Sequence, residues 1–347
     1  MANVTKTAIK ILVVRNDKLG DFMLAYPSFA LLKQALPHAH IYALVPSYTR
    51  EMADACPWID KIIIDPGAKA PANEQKQLLK AVREQNFSVA IALFSTPRIG
   101  LMLFRARIPQ RVAPATKLVQ FLYNSRLSQR RSRSEKPEYQ YNSDLILFYL
   151  RNNDFNLPPL PQPPFLYFDA SQIKQHKTFF YRQHKIPPSS KVIFIHPGSG
   201  GSANTLSAEQ FSELAKHLNS VQPLVFVITA GPNELEHAQS LCTLLSGLPT
   251  VLYHSTSGLR AFAEHIAFAD VFISGSTGPL HIAGALNVPT AAFYTRRRSA
   301  TALRWQTLNS SDKRLAFYPP LDAEECDMSR IDIVSAATEI SSKFLSG

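Results

Sequence analysis

The sequence predicts an α/β protein with two doubly wound domains, and three observations lead to this fold class. Short apolar runs rich in β-branched residues alternate with helix-spaced apolar patterns, which is typical of parallel sheets covered on both faces. The alternation stops at Leu157–Pro164, a segment with five prolines in eight residues, and starts again after it. The length of 347 residues suits two domains of about 150 to 180 residues better than a single core.

Residues 1–156 are predicted to form the first domain, with a parallel sheet at its centre. Its predicted strands are short and bounded by turn residues: Ile9–Val14, Ile41–Val45, Lys61–Ile64 and Val89–Phe94. Helix formers with helix-spaced apolar residues predict helices over Pro27–Leu36 and Gln75–Gln85. Because strands that alternate with helices are joined by right-handed crossovers, these strands should run parallel.

The proline-rich segment can lie in neither a helix nor a central strand. We therefore interpret residues 157–170 as a stiff interdomain linker. The alternative is that these prolines form a ligand for a proline-binding partner.

Residues 171–328 are predicted to form a second domain that repeats the alternation, and residues 329–347 add a helix over Ile331–Phe344. Its predicted strands are Val192–His196, Leu224–Thr229, Thr250–Leu252, Val271–Ser274 and Thr290–Phe293. Its predicted helices are Ser207–Asn219, Asn233–Leu245, Gly258–Ala267 and Pro279–Leu286. Ser207 and Gln210 are expected to form a capping box. Two doubly wound domains place a ligand site in the cleft between them, at the carboxyl ends of the strands.

Composition excludes several classes of protein. Apolar residues make up 46% of the chain and charged residues 18%, which indicates a folded rather than a disordered protein. Apolar runs such as Val192–Ile195 are too short for the ~20 residues of a membrane span, and we expect no signal peptide. Three distant cysteines exclude a cysteine-built zinc site and favour a reducing, cytoplasmic setting.

The charge is unevenly distributed. The chain carries 37 Lys and Arg against 26 Asp and Glu, a net charge of +11. Between Arg98 and Arg151 there are eleven basic and three acidic residues, a local excess of +8. Such a segment is either a solvated, solubilising face or a surface that attracts nucleic acid, anionic lipid or a phosphorylated or carboxylated substrate.

The loop Arg15–Asp21 follows the first predicted strand. Gly20 allows a tight turn, and Asp21 stands where the next helix begins. Asp21 is either the N-cap of that helix or a carboxylate that faces the cleft and accepts a proton.

Two loops of the second half have the composition of phosphate-binding turns. His196–Ser202 contains three glycines and two serines after a buried strand, and it matches neither GxxxxGK[ST] nor GxGxxG. In Ser274–His281, hydroxyl groups and a helix N-terminus favour a diphosphate, with Pro279 at the first helical position. His281 is either a donor to the ligand or a satisfied interior histidine. We infer a nucleotide diphosphate bound by this half and an acceptor opposite it.

Three segments resemble, in order, the motifs of glycosyltransferase family 9, the lipopolysaccharide heptosyltransferases. Residues 9–41 are similar to its opening strand, SLGD-like loop and P-x-x-x-x-L-K/R helix. Residues 192–218 are similar to its HPG-x-G motif, and residues 269–294 to D-[ST]-G-P-x-H-x-A-A-A-L-G-x-P. The resemblance implies a GT-B fold, two Rossmann-like domains facing a central cleft, with the donor held by the C-terminal one. It also implies metal-independent, inverting transfer of heptose from ADP-heptose to the lipopolysaccharide inner core, with no cofactor other than that donor.

The resemblance assigns roles to individual residues. Asp21 falls on the catalytic aspartate, which favours a general base over a cap. Glu234 falls near the acidic residue that meets the ribose hydroxyls. The predicted donor-binding residues are His196, Gly198, Ser199, Gly200, Gly201, Asn204, Glu234, Ser276, Thr277, Gly278, Pro279, His281, Arg297 and Arg298. The predicted acceptor-binding residues are Lys18 and Gly20 and, because of the local charge of +8 rather than the resemblance, Arg98, Arg105, Arg130, Arg131 and Arg133. These arginines could also meet anionic headgroups at the inner face of the bacterial inner membrane.

Two positions depart from the family pattern. Asn204 stands where the family usually has Lys, and Ser276 stands where it usually has Asp. A nearby arginine could supply the missing charge, the candidates being Arg296, Arg297, Arg298 and Arg304. The departures also leave open an inactive or altered-donor relative, such as a nucleotide-sugar hydrolase, an epimerase or a scaffold. A nucleic-acid-binding protein is disfavoured, since no RRM, KH or zinc signature is present.

Overall fold

A computed structural model of the chain describes residues 9–115, 120–198, 204–221 and 223–346. The chain divides into two compact units. The first consists of the described residues up to Arg131 together with Glu138–Gln162. The second consists of Ser132–Pro137 and the described residues from Pro163 onward. The chain therefore enters the second unit briefly, returns to the first, and enters the second again.

The first unit contains a parallel sheet of six strands in the order β3-β2-β1-β4-β5-β6. Its strands are β1 (Lys10–Val14), β2 (His40–Pro46), β3 (Lys61–Asp65), β4 (Val89–Ala92), β5 (Gln110–Pro114) and β6 (Ser125–Leu127). Its α-helices are α1 (Leu19–Met23), α2 (Tyr26–Ala35), α3 (Arg50–Asp54), α4 (Ala72–Glu84), α5 (Pro97–Arg105) and α6 (Glu138–Asn152). The central strands are apolar and buried because helices cover both faces of a parallel sheet.

The second unit contains a parallel sheet of six strands in the order β12-β11-β10-β7-β8-β9. Its strands are β7 (Val192–His196), β8 (Val225–Ala230), β9 (Thr250–His254), β10 (Val271–Gly275), β11 (Thr290–Phe293) and β12 (Arg314–Phe317). Its α-helices are α7 (Ala170–Gln183), α8 (Ala208–Val221), α9 (Leu235–Leu244), α10 (Leu259–Ile266), α11 (Gly278–Ala285) and α12 (Ile333–Ile340). The C-terminal α12 packs against α8 and continues as a π-helical turn over Ser341–Leu345.

Each predicted strand is confirmed to within two residues, and β7 and β11 have the predicted bounds. The strand predicted to reach Phe94 ends at Ala92, because Leu93 N and Phe94 N both donate to the Val14 carbonyl where the chain turns. Segment 157–164 contains neither helix nor strand, as predicted. The capping box is confirmed: Gln210 N donates to Ser207 Oγ at 3.2 Å, and Ser207 N donates to Gln210 Oε1 at 3.1 Å.

Both sheets have the same topology. Counted along its own unit, each has the order 3-2-1-4-5-6 of a Rossmann sheet, so the order reverses between β1 and β4 and between β7 and β10. Ligands of doubly wound domains bind at the carboxyl ends of the strands at this switch point. The candidate loops after β1, β7 and β10 all begin at such a point.

Candidate active site

The first candidate site lies at the carboxyl end of β1. Asp21 is the third residue of α1, whereas Lys18 occupies the N-cap position and makes no side-chain capping bond. The alternative of Asp21 as a helix N-cap is therefore wrong. Arg15 Nη2 donates to Asp21 Oδ1, and 14% of the Asp21 side chain remains exposed.

Arg15 is the centre of a buried ionic cluster. Its side chain is 2% exposed. Its Nη1 donates to Glu138 Oε1 at 2.9 Å and to Asn142 Oδ1 at 3.1 Å. Its Nε lies 2.9 Å from Asp17 Oδ1. One guanidinium thus holds three carboxylates, which belong to the β1 loop, to α1 and to α6.

A second arginine completes this cluster. Arg131 Nη1 donates to Glu138 Oε1 at 2.7 Å and to the Leu93 carbonyl at 3.1 Å. The negative charges outnumber the positive ones, and burial raises the pKa of Asp17 to about 7 against the opposing charge of Arg15. Burial also disfavours the charge on Arg15, but its carboxylate neighbours outweigh this effect and raise the pKa of Arg15 above its usual range.

A second group of polar side chains lies at the carboxyl end of β3. Asp65 Oδ2 accepts hydrogen bonds from Arg98 Nη2 at 2.5 Å and from Asn16 Nδ2, and Gly67 N donates to Asp65 Oδ1 at 3.1 Å. Burial disfavours the Asp65 carboxylate, but these donors outweigh it and lower the pKa of Asp65. Arg98 Nη1 also donates to Gln75 Oε1 at 3.0 Å. The Arg98 guanidinium is therefore engaged by groups of its own unit.

The other predicted acceptor-binding residues have different environments. Lys18, Arg105 and Arg130 are exposed, and Gly20 is half-buried within α1. Arg133 is also exposed, with its Nη1 3.4 Å from Glu135 Oε1, and it belongs to the segment that joins the second unit. The basic segment is thus partly neutralised by Asp65 and Glu138 rather than forming one free positive face.

In the second unit, His196 and Glu234 come together at the carboxyl end of β7. His196 is 2% exposed; its Nδ1 lies 2.9 Å from Thr229 Oγ1 and its Nε2 lies 3.3 Å from Glu234 Oε2. Glu234 Oε2 also accepts from Gly231 N at 3.0 Å. A Cβ on Gly198 would stand 2.4 Å from Glu234 Cδ, so a larger residue at this position would displace the Glu234 carboxylate. The predicted donor-binding residues Ser199, Gly200 and Gly201 lie outside the described residues.

Asn204 and Thr205 lie close to Gly275, the last residue of β10. A Cβ on Gly275 would stand 2.7 Å from Thr205 Oγ1 and 2.8 Å from Thr205 Cβ, with the Asn204 carbonyl at 3.5 Å. The two loops predicted to bind one diphosphate are therefore in contact with each other. Thr205 Oγ1 is buried and has no hydrogen-bond partner in the described part of the chain.

The turn after β10 leads directly into α11. Thr277 is its N-cap, and Thr277 Oγ1 lies 3.0 Å from Ser274 Oγ rather than capping the helix. The helix begins at Gly278, so Pro279 occupies the second position instead of the predicted first. The first amides of α11 have no intrahelical acceptor and suit an anion. Ser276 and Gly278 are half-buried beside them.

His281 is buried one turn into α11. Burial lowers the pKa of His281 to about 4, so its imidazole is neutral at physiological pH. Its Nδ1 has no hydrogen-bond partner in the described part of the chain. Among the described residues, nothing therefore prevents His281 Nδ1 from bonding to a ligand.

The arginines after β11 divide into engaged and exposed side chains. Arg296 Nη2 donates to the Ala323 carbonyl, and Arg296 lines a cavity of about 530 Å³ with Tyr294 and Arg314. Arg304 is buried over the ring of Trp305. Arg297 and Arg298 are exposed, which leaves their guanidinium groups accessible to a ligand.

Two features are absent from the described residues. No helix within them is both long and apolar enough to cross a membrane. Nor do they bring three or more His, Cys, Asp or Glu side chains together in an arrangement that could hold a metal ion.

The two parallel six-stranded sheets, each with the strand order of a Rossmann domain, define a GT-B fold. Solved structures with this fold include E. coli ADP-heptose lipopolysaccharide heptosyltransferase II, with a TM-score of 0.77, 19% identity and coverage of 97% of this chain and 99% of that one. E. coli heptosyltransferase WaaC with ADP gives a TM-score of 0.74, 15% identity and coverage of 96% and 100%.

Sequence comparison narrows this class to a family. The profile of glycosyltransferase family 9 (heptosyltransferase) matches residues 76–316. A Haemophilus influenzae protein named as a glycosyltransferase on a provisional basis is 45% identical to this chain over 334 residues, which cover 96% of each chain. This chain belongs to glycosyltransferase family 9.

Sequence reasoning missed several members of the buried cluster. Arg15 and Asp17 lie in a candidate loop whose pattern assigns no role to either, and no motif of the sequence includes Glu138 or Asn142. Asp65 carried a usable signal, since it is a charged residue at the end of the apolar strand KIIID. No local sequence pattern could identify Glu138 as a site residue, because it lies 123 residues from Arg15 in the chain.

Proposed function

We propose that this protein catalyses the inverting transfer of heptose from ADP-heptose to the inner core of lipopolysaccharide, without a metal. We further propose that it acts in the cytoplasm, reversibly associated with the inner face of the inner membrane. Membership of family 9 supports sugar transfer, and the names of the solved relatives support ADP-heptose as donor. One observation carries the proposal: a partly exposed aspartate is held by a buried arginine at the switch point of the first sheet.

Asp21 is the proposed general base. Arg15 holds Asp21 Oδ1, and among the described residues no donor engages Oδ2. Oδ2 would accept the proton of the acceptor hydroxyl as that oxygen attacks the anomeric carbon. Attack on the face opposite the departing ADP inverts the configuration. A positioned base of this kind contributes about 10²–10⁴-fold to the rate.

Arg15 is the proposed positioning residue of this site. Glu138 and Asn142 hold its Nη1, so the guanidinium cannot rotate away from Asp21 without breaking buried hydrogen bonds. A fixed carboxylate does not have to be ordered when the acceptor binds, and this lowers the entropic part of the barrier.

The second unit supplies the proposed donor site. As ADP leaves, its diphosphate gains negative charge, which the amides at the start of α11 and the hydroxyls of Ser276 and Thr277 would stabilise. Glu234, held over Gly198, is the proposed acceptor for the ribose hydroxyls. The buried, neutral His281 would offer a hydrogen bond rather than a charge.

The proposal is tested by ADP release from ADP-heptose with and without a lipid A–Kdo acceptor. We expect release only with acceptor, an inverted anomeric centre in the product, and rates unaffected by EDTA. Asp21→Asn should reduce turnover about 10²-fold or more while ADP binding and the unfolding midpoint stay unchanged. Asp54→Asn, an exposed aspartate of the same unit, is the matched control.

Three results would contradict the proposal. Acceptor-independent ADP release identifies a hydrolase, and turnover from another nucleotide sugar alone identifies a different donor. Wild-type turnover in Asp21→Asn would remove Asp21 from the mechanism.

A further inference from the structure

The outer face of α5 is unusually apolar for an exposed surface. Ile99, Met102 and Leu103 are buried and attach the helix to its unit. On the opposite face, the side chains of Leu101 and Phe104 are 38% and 52% exposed. The helix therefore presents apolar groups to solvent as well as to the core, whereas an ordinary surface helix has a polar outer face.

A second exposed aromatic residue lies beside this face. Phe121, in the short 3₁₀ helix Gln120–Leu122, is 73% exposed. Its neighbour Leu122 packs on α5, since a Cβ on Gly100 would stand 3.0 Å from Leu122 Cδ1. Leu101, Phe104 and Phe121 thus belong to one surface, which we call the α5 patch.

Arginines border the α5 patch. Arg111 lies with its guanidinium carbon 5.4 Å from the centre of the Phe104 ring, and its Nε donates to the Leu122 carbonyl at 2.8 Å. Phe104, Arg105, Arg107 and Arg111 line a cavity of about 510 Å³, together with Arg83. None of the described residues that line this cavity is acidic.

We propose that the α5 patch is a docking surface for an anionic phospholipid bilayer. Exposed aromatic side chains beside arginines match the interface of such a bilayer, where rings enter the headgroup region and guanidinium groups meet lipid phosphates. Charge complementarity selects this occupant, because the cavity presents four arginines and no acidic lining residue. The apolar face of α5 favours a lipid surface over nucleic acid, which needs no contiguous aliphatic and phenyl surface.

This inference deepens the proposed function by giving the membrane association a defined surface. It can fail separately, because the α5 patch shares no residue with Arg15, Asp21 or the donor loops. Arg105 is the one predicted acceptor-binding arginine that borders the α5 patch.

The test is co-sedimentation of the full-length protein with vesicles of phosphatidylethanolamine, with and without phosphatidylglycerol. We expect binding that needs phosphatidylglycerol and weakens with salt. Phe104→Ser with Phe121→Ser should reduce vesicle binding about tenfold or more. Arg105→Ser and Arg107→Ser should each reduce it roughly fivefold. Phe179→Ser and Arg182→Ser, exposed residues of α7, are the matched controls and should bind as wild type.

Further measurements distinguish a loss of vesicle binding from a loss of folding or of donor binding. Unfolding midpoints and calorimetric ADP affinity should match wild type in all these variants, so lost vesicle binding is not lost folding or a lost donor site. Competition by inorganic phosphate would show a free-anion site instead of a bilayer surface. Vesicle binding unchanged in the patch variants, or binding to single-stranded RNA but not to vesicles, would overturn the inference.

Discussion

Gly275→Ala tests the contact between the two loops that we assign to the donor. The added methyl group would stand 2.7 Å from Thr205 Oγ1 and 2.8 Å from Thr205 Cβ, well inside van der Waals contact. Gly275 ends a buried strand, so the Asn204–Thr205 segment must give way.

The distances set the size of the effect. Overpacking at a buried position typically costs about 1–3 kcal/mol, and we expect this loss in the free energy of unfolding of Gly275→Ala. A displaced Asn204–Thr205 segment should also weaken ADP binding about tenfold, which corresponds to about 1.4 kcal/mol. Urea unfolding and calorimetric titration of ADP measure the two effects separately.

Substitutions at Thr205 test whether the contact with this residue causes the effect of Gly275→Ala. Thr205→Gly removes both clashing atoms and leaves the Asn204 carbonyl at an ordinary 3.5 Å, so it should relieve most of the cost in a double-mutant cycle. Thr205→Ala keeps the Cβ and should relieve less. The control is Gly247→Ala, whose Cβ would meet no atom within 4 Å. If Gly275→Ala matched Gly247→Ala in stability and ADP affinity, the loop contact would be refuted.

The remaining predictions concern charge. Because the pKa of Asp17 is raised to about 7 in the folded protein, its proton is held more tightly there than in the unfolded chain, and stability is lost as pH rises from about 4 to about 7. Asp17→Asn should remove this loss, so the free energy of unfolding of the variant, measured with urea, should rise relative to wild type by roughly 3–4 kcal/mol at most between about pH 4 and pH 8. A difference between variant and wild type that does not depend on pH would contradict a raised pKa of Asp17. Arg297→Ala or Arg298→Ala should weaken ADP binding about tenfold if an arginine replaces the lysine that the family has at position 204, and Asn204→Lys should restore part of it. Wild-type ADP affinity in both arginine variants and in their combination would show that the charge is not replaced, and would favour the altered-donor alternative.

The sequence predicts the strands that are short apolar runs, but not β5 and β12, which begin with the polar residues Gln110 and Arg314. β7 and β11 are short apolar runs between turn residues, and such runs are read directly from hydropathy. The sequence does not predict α6, because the buried polar residues Glu138, Asn142 and Ser143 interrupt the apolar pattern in the first half of the helix. β6 was missed because it has only three residues, two of them polar.

Only those parts of the candidate site that lie within a single loop could be predicted from the sequence. Asp21 follows a buried strand and a glycine, and that local pattern left a helix cap and a general base as alternatives; the family resemblance favoured the base. Its anchoring by Arg15 through Glu138 depends on a contact between residues 123 positions apart. The approach of Thr205 to Gly275 likewise depends on packing between separate elements, which no local pattern encodes.

The brief passage of Ser132–Pro137 through the second unit bears on how the protein can be divided. Ser134 Oγ donates to the Arg298 carbonyl at 2.6 Å, which attaches this hexapeptide to the second unit. The rest of the second unit begins only at Pro163. The polypeptide crosses from one unit to the other three times rather than once. A protease that nicks the proline-rich segment would therefore not yield two self-sufficient fragments. The N-terminal fragment would contain Ser132–Pro137, which belongs to the second unit. The C-terminal fragment would lack this segment and would expose the surface against which it packs.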